Sequence, residues 1–197
     1  MFEFLIKRLP HLKEQLEEYV QLYERIEVPA KTILLREGDI SKKSFFIEKG
    51  CIRAWLNHNG KDVTFQFFFE EQGLSSAESF RKNIPSILTI ETIEPSVIHV
   101  LHKKDYERIM KELGHDTAFL KEMIEIIFER QLHYVHEFIS FIRDTPQQRY
   151  LNLLGQKPHI VQRIPQHYIA SYLGISSVHL SRIRNRAAKE KKQHPVS

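Results

Sequence analysis

The side chains best equipped for chemistry in this chain are donors rather than nucleophiles, and they crowd one short stretch near its C-terminal end. Ser177, Val178, His179, Ser181, Arg182 and Arg184 surround the apolar pair Leu180 and Ile183. Helical spacing turns Leu180 and Ile183 to one side and leaves the six on the others. The guanidinium of Arg182 is a rigid planar fork that fits two adjacent acceptors, such as O6 and N7 of guanine. Ser177, His179 and Ser181 suit phosphate oxygens or base edges, and Val178 suits a thymine methyl. This is equipment for reading a surface.

Such a helix must be held by a second one, and the preceding residues supply it. Ala170 is a small residue where another helix can cross closely. Gly174, four positions later, can take the positive φ of a tight turn. Ile169, Leu173, Ile175, Leu180 and Ile183 are apolar anchors, and Ser176 or Ser177 can cap the second helix, expected over 177–188. The pattern is that of a helix-turn-helix, which points to double-stranded DNA; the bland alternative is a helical hairpin with a solvated basic face. Charge favours the first. Residues 143–197 hold 10 Lys+Arg and 2 Asp+Glu, a net of +8, whereas residues 1–142 hold 19 and 23, a net of −4. Arg186, Lys189, Lys191 and Lys192 extend the positive surface for phosphate attraction or solubility.

The rest of the composition bounds the other module. With 42% hydrophobic residues, 13 Phe, 7 Gly and a mean hydropathy of −0.37, the chain has a real core and little low complexity. No apolar run approaches the roughly 20 residues that span a bilayer, and the first residues lack the order of a signal peptide. A cytoplasmic protein without a membrane partner is expected. Cys51 is the one cysteine, which excludes an internal disulfide, a four-Cys cluster and a Cys-rich zinc site. It reads as a small buried hydrophobe, with a redox-sensing thiol as the sharper alternative.

Leu5, Leu9, Leu12, Leu16, Tyr19, Val20 and Tyr23 describe an amphipathic helix bent at Pro10. Short β-rich runs follow at 31–35, 44–48, 51–57, 63–69, 87–92 and 96–101, punctuated by turns; Asn59-Gly60 is the strongest hairpin signal. Many short strands with regular turns predict a sandwich, barrel or jelly roll. A short helix is expected over 105–113, ending at Gly114, then a long one over 116–143. Along it Leu120, Ile124, Ile127, Gln131, Tyr134, Phe138 and Phe141 alternate steps of four and three, a heptad seam suited to a second copy of the chain. A second apolar face of Phe119, Met123, Ile126, Leu132, Val135, Ile139 and Ile142 suggests that the helix also packs on its own sheet. Asp144 or Thr145 can cap a new helix with Pro146 in its first turn, and the hinge between modules is expected here.

Two signatures in this order resemble the Crp/Fnr superfamily over nearly the whole chain. The first half is similar to its cyclic-nucleotide-binding β-roll through Leu34-Leu35-Arg36-Glu37-Gly38-Asp39, Phe45-Phe46-Ile47-Glu48-Lys49-Gly50 and Cys51-Ile52-Arg53. The second half is similar to compact members common in the Bacteroidetes group, through residues 149–154, 169–175 and Leu180-Ser181-Arg182-Ile183-Arg184. The resemblance implies an α+β chain. A double-stranded β-helix (jelly-roll) sensor domain occupies 1–115, a dimerisation helix 116–143, and an all-α (winged) helix-turn-helix domain 144–197. It implies a homodimeric transcription regulator on an inverted-repeat site, with RNA polymerase as a further partner and no cofactor or enzymatic activity. Ser177, Val178 and Arg182 match the family's base-reading positions. Many members carry arginine at the first of these, so the DNA sequence read here need not be theirs.

The family's cyclic-nucleotide cassette holds a Gly-Glu pair for the ribose and an arginine next to a small residue for the phosphate. In the matching residues 72–86 the Gly-Glu step is absent, and Pro85 stands where the arginine would precede Ser86. Without that charge-assisted bidentate partner, cyclic AMP is not the expected effector. Arg53, Gly73, Glu78, Arg81 and Ser86 are the residues that would line a pocket for another small molecule. His99 with His102 and His133 with His136 lack companions at ligand spacing, so no metal is expected. Two other function classes compete with the regulator. A ligand-binding module acting on a protein partner fits the roll but leaves the Ala170–Gly174 motif unused. A cupin-like enzyme would need a His/Glu cluster on the strands that the sequence does not supply.

Overall fold

The computed structural model describes residues 3–193, with side chains over 5–189. The chain divides into two compact units, one of residues 1–56 and 66–130 and the other of residues 57–65 and 131–197.

The first unit opens with α1 (Glu3–Arg8), a 3-10 turn at Pro10–Leu12 and α2 (Lys13–Val20), so the single helix expected to bend at Pro10 is interrupted there instead. Eight strands follow: β1 (Glu24–Val28), β2 (Ile33–Leu35), β3 (Lys43–Lys49), β4 (Ile52–His58), β5 (Lys61–Phe68), β6 (Gly73–Leu74), β7 (Thr89–Thr92) and β8 (Ser96–His102). They form two four-stranded sheets, ordered β1-β8-β3-β6 and β2-β7-β4-β5, which make a β-roll. The period of two decides what faces inward. Phe45, Ile47, Ile52, Leu74, Ile90, Ile98 and Val100 form one core cluster. Ile47, Ile52 and Ile98 are wholly buried, each contributing about 1.5–3 kcal/mol. A second cluster joins Leu9, Leu12, Leu16 and Tyr19 to Leu101, Ile109, Leu113 and Phe119. Cys51 is wholly buried.

Three elements of the roll were not expected: β1, the two-residue β6, and α3 (Ala77–Lys82) between β6 and β7. The short strands otherwise fall where the turns predict, although Lys31, at φ 64°, belongs to the turn before β2. At the β4–β5 connection Asn59 and Gly60 take φ of 53° and 76°, the pair of positive values that a two-residue hairpin turn needs. After β8 come α4 (Lys103–Leu113) and α5 (Thr117–Arg143). α4 ends at Gly114 in a right-handed conformation, without a left-handed cap. Asp116 Oδ1 accepts the Phe119 amide at 2.8 Å and starts α5.

The second unit comprises the tip of the β4–β5 hairpin, the last half of α5, and α6 (Pro146–Gln156), α7 (Pro158–Arg163), α8 (Gln166–Tyr172) and α9 (Ser177–Gln193). Thr145 caps α6 in a reciprocal box with Gln148. Among the described residues, 144–193 contain helices only, so the wing written into the expected C-terminal domain is absent there, and α9 runs on where a strand pair would have begun.

Candidate nucleic-acid interface

Ile169, Ala170, Leu173, Leu180 and Ile183 are all buried and hold α8 against α9. Leu180 is wholly inaccessible, which fixes the rotation of α9 about its axis and so the direction of every other side chain on it. Between the helices Gly174 adopts φ 68°, a value at which any Cβ is strained. Its space is closed as well, because a Cβ placed there would lie 2.7 Å from Cζ of Phe141. Ser176 provides the cap, its Oγ accepting the His179 amide at 3.2 Å.

On this frame Ser177, Val178, His179, Ser181 and Arg182 are exposed and Arg184 is half-buried. Val178 and Arg182 share one flank, four residues apart. Ser181 and Arg184 reach the rim of a cleft of about 470 Å³ against Tyr150 of α6 and Gln166 of α8. The six residues therefore divide between an open flank and a recessed one, a distinction that spacing alone does not draw. Arg186 hydrogen-bonds Gln147 Oε1 at 3.3 Å, and Lys189 is exposed; the side chains of Lys191 and Lys192 lie outside the described residues.

Two contacts fix α8 from behind. Ser171 Oγ donates to Asp62 O at 2.8 Å and accepts the Thr64 amide at 2.9 Å, so one hydroxyl completes the edge of the hairpin. Glu137 of α5 accepts from Tyr172 Oη at 2.7 Å and from Lys157 Nζ at 2.6 Å. Burial would raise the Glu137 carboxyl, but the Lys157 and Tyr172 hydrogen bonds outweigh it and hold the group below its ordinary value. Burial and the same carboxylate push the Tyr172 hydroxyl well above the ordinary phenolic range. Neither Ser171 nor Glu137 was picked out in the sequence, because their partners lie 107 and 35 residues away.

Along α5, Leu120, Ile124, Ile127, Gln131 and Phe138 are exposed and Tyr134 is half-buried, its ring 5.6 Å from that of Phe65. Ile127 and Phe138 are 67% and 66% accessible. The face expected to pack on the chain's own sheet does so only at its start. Phe119 is buried and Met123 and Ile126 are half-buried, whereas Leu132, Val135, Ile139 and Ile142 are exposed.

Of the residues named for an effector pocket, Arg53, Glu78 and Ser86 take side-chain partners within the roll. Arg53 Nε and Nη2 both donate to Glu91 Oε2, at 2.9 and 2.7 Å, across the β4–β7 register. The charge it would offer an anion is thus already matched by a carboxylate. Glu78 is exposed and paired with Lys82 at 2.8 Å, which holds its carboxyl below the ordinary value. Ser86 is buried, its Oγ hydrogen-bonded to Ser76 Oγ and to Leu88 O. Gly73 pairs with Phe46 in the β3–β6 ladder, and Arg81 is exposed on α3. His99 hydrogen-bonds Glu48 at 2.7 Å.

Residues 25–113 match the family model of the cyclic nucleotide-binding domain. No curated protein sequence matches the chain. Among solved structures it is similar to CLP, a c-di-GMP-responsive global regulator of Xanthomonas campestris. There the identity is 14%, over 90% of this chain and 92% of that one, with a TM-score of 0.72. FixK2 of Bradyrhizobium japonicum matches at 14% identity over 85% of each chain, TM-score 0.70. A CooA mutant from Carboxydothermus hydrogenoformans matches at 16% over 88% and 79%, TM-score 0.67. The neighbours are Crp/Fnr regulators, and the fold, a β-roll followed by a helical C-terminal region, is theirs.

Proposed function

We propose that this chain, with its cyclic nucleotide-binding-type roll and the fold of Crp/Fnr regulators, is a DNA-binding transcriptional regulator that works as a homodimer. The observation that carries the reading is α9. Its buried Leu180 and Ile183 and its turn at Gly174 leave Val178 and Arg182 together on an open flank, with Ser177 and His179 beside them. A helix so anchored can enter a major groove by its first turns, and Arg182 is the residue to read a guanine edge. Ser181 and Arg184, on the recessed flank, make phosphate contacts that position without specifying.

The exposed apolar row on α5 supports pairing with a second copy. Large aliphatic and aromatic side chains left open on two faces of a 27-residue helix make a patch of the kind that marks an interaction site. Two copies would set two α9 helices about one DNA turn apart, roughly 34 Å, on a two-fold-related sequence. The Arg53–Glu91 pair supports an effector that is not a cyclic nucleotide phosphate, since the guanidinium is committed to a carboxylate.

The test is selection from a random duplex library at physiological salt, with Arg182→Ala in parallel. The expected result is an enriched inverted repeat whose affinity falls about 5- to 100-fold in the variant, the worth of one bidentate base contact. Retention that is weak, independent of sequence and equal in the variant would reject this reading. A regulatory module acting on a protein partner would then take its place.

A further inference from the structure

The chain passes from α5 into α6 through Asp144 and Thr145, the stretch whose charge reversal and proline suggest a swivel. The second unit ties this stretch down with one residue. Arg149 Nη1 donates to Phe141 O at 3.0 Å and to Asp144 O at 2.9 Å, and Nη2 donates to Leu173 O at 3.0 Å. These carbonyls are the C-terminal ends of α5 and α8, groups that a helix cannot satisfy itself. The negative ends of both helix dipoles converge there, and the cation answers both. Its Cζ lies 4.3 Å from the centre of the Phe141 ring, and the same ring abuts Gly174 at the turn before α9. A second layer holds Asp144, whose carboxylate accepts from Ser140 Oγ, from Arg143 and from Asn152. The remaining Arg149 nitrogen, Nε, is buried with no hydrogen-bond partner. That cost is tolerated where the fork itself is needed.

We infer that Arg149 is a positioning residue: it clamps the carbonyl ends of α5 and α8, fixes the angle between α5 and the reading helix α9, and so sets which half-site spacing the protein accepts. The last step rests on the regulator reading above; the fixed angle does not. Three carbonyls in two directions and a ring face together demand a planar fork. A lysine ammonium is a point charge without the plane to stack or the geometry to bridge.

The experiment reads the angle first without DNA. Spin labels at His136→Cys on α5 and Lys189→Cys on α9 give one distance within the chain, and excess unlabelled protein suppresses distances between copies. Cys51 is wholly buried and stays in place. A single narrow distribution is expected for the native residue, and one at least about twofold broader for both Arg149→Ala and Arg149→Lys. Arg149→Lys keeps the charge and the stem, so the result survives if Arg149→Ala does not fold. Unchanged widths in the folded variants would overturn the clamp. With the selected inverted repeat, adding or removing one base pair between half-sites should weaken native binding about tenfold or more and variant binding less than about threefold. Equal discrimination by native and variant proteins would overturn the spacing role. Should the native protein select no duplex, the regulator reading fails, and the label widths still decide the clamp.

Discussion

Arg53 is buried and Arg149 half-buried, and their guanidinium groups are satisfied in opposite ways. Arg53, in the roll, meets Glu91 across adjacent strands, with side chains 3% and 10% accessible, and lies 4.9 Å from the Trp55 ring centre. Arg149, in the second unit, is held by three backbone carbonyls and an aromatic ring. The first charge is cancelled by another full charge one strand away, so the pair persists wherever the sheet persists. The second is met by partial charges at two helix ends, which converge in only one arrangement of those helices. One arginine therefore holds a fold, and the other holds an arrangement.

The two arginines differ most in what the loss of Glu91 does to the roll. Removing one partner of a buried ion pair leaves the other charge uncompensated in a low-dielectric setting, a loss of about 3–5 kcal/mol. Urea unfolding of Glu91→Ala should show that loss. The double variant Arg53→Met with Glu91→Leu should recover most of it, because apolar side chains of similar volume can replace a buried pair. If Glu91→Ala unfolds like the native protein, Arg53 has found water or another partner, and the pair does not hold the roll.

The two arginines also mark where the sequence stops being informative. Local signals carried much of the architecture. Asn59-Gly60 named a hairpin, Ala170 with Gly174 named the α8–α9 turn, Pro10 named a bend where the helix is in fact interrupted, and Thr145, proposed beside Asp144, is the residue that caps α6. Each depends on residues within four positions of one another. Arg53 was visible as a charge but not as half of a pair, since Glu91 lies 38 residues away and meets it only through the strand register. Arg149 was visible only as part of a family-like stretch, because backbone carbonyls have no letter in a sequence. β1 was missed because three of its five residues are charged, leaving only Ile26 and Val28 to face the core. The expected wing came from the resemblance, and among the described residues nothing after α8 but α9 fills its place.

Ser171 sharpens the contrast with a neutral case. Like Arg149 it bonds backbone, accepting from Thr64 N and donating to Asp62 O, yet it carries no charge. Ser171→Ala should cost about 1 kcal/mol, the net worth of an ordinary hydrogen bond, and speed amide exchange at Thr64. Exchange at Thr64 that stays as slow as in the native protein would mean that the hairpin tip is held by the Phe65–Tyr134 contact instead.

The smallest effect is expected from a charge pair that resembles Arg53–Glu91 in chemistry and differs in exposure. Glu137 and Lys157 meet at 2.6 Å with side chains 40% and 27% accessible, so solvent screening limits their contribution to below about 1 kcal/mol. Burial opposes ionisation of Glu137, and the Lys157 and Tyr172 hydrogen bonds overcome it, leaving its folded pKa below the unfolded one. The unfolded state then binds a proton first as the solution is acidified. The pair's contribution is fully present above the ordinary glutamate value, near 4.3, and is lost as the pH falls through the lower folded value. Native protein and Glu137→Gln, unfolded in urea over about pH 7 to pH 3, should differ by a small margin in neutral solution that shrinks toward zero in acid. A difference that grows on acidification would reverse the sign, and would mean that burial rather than the Lys157 bond governs this carboxyl.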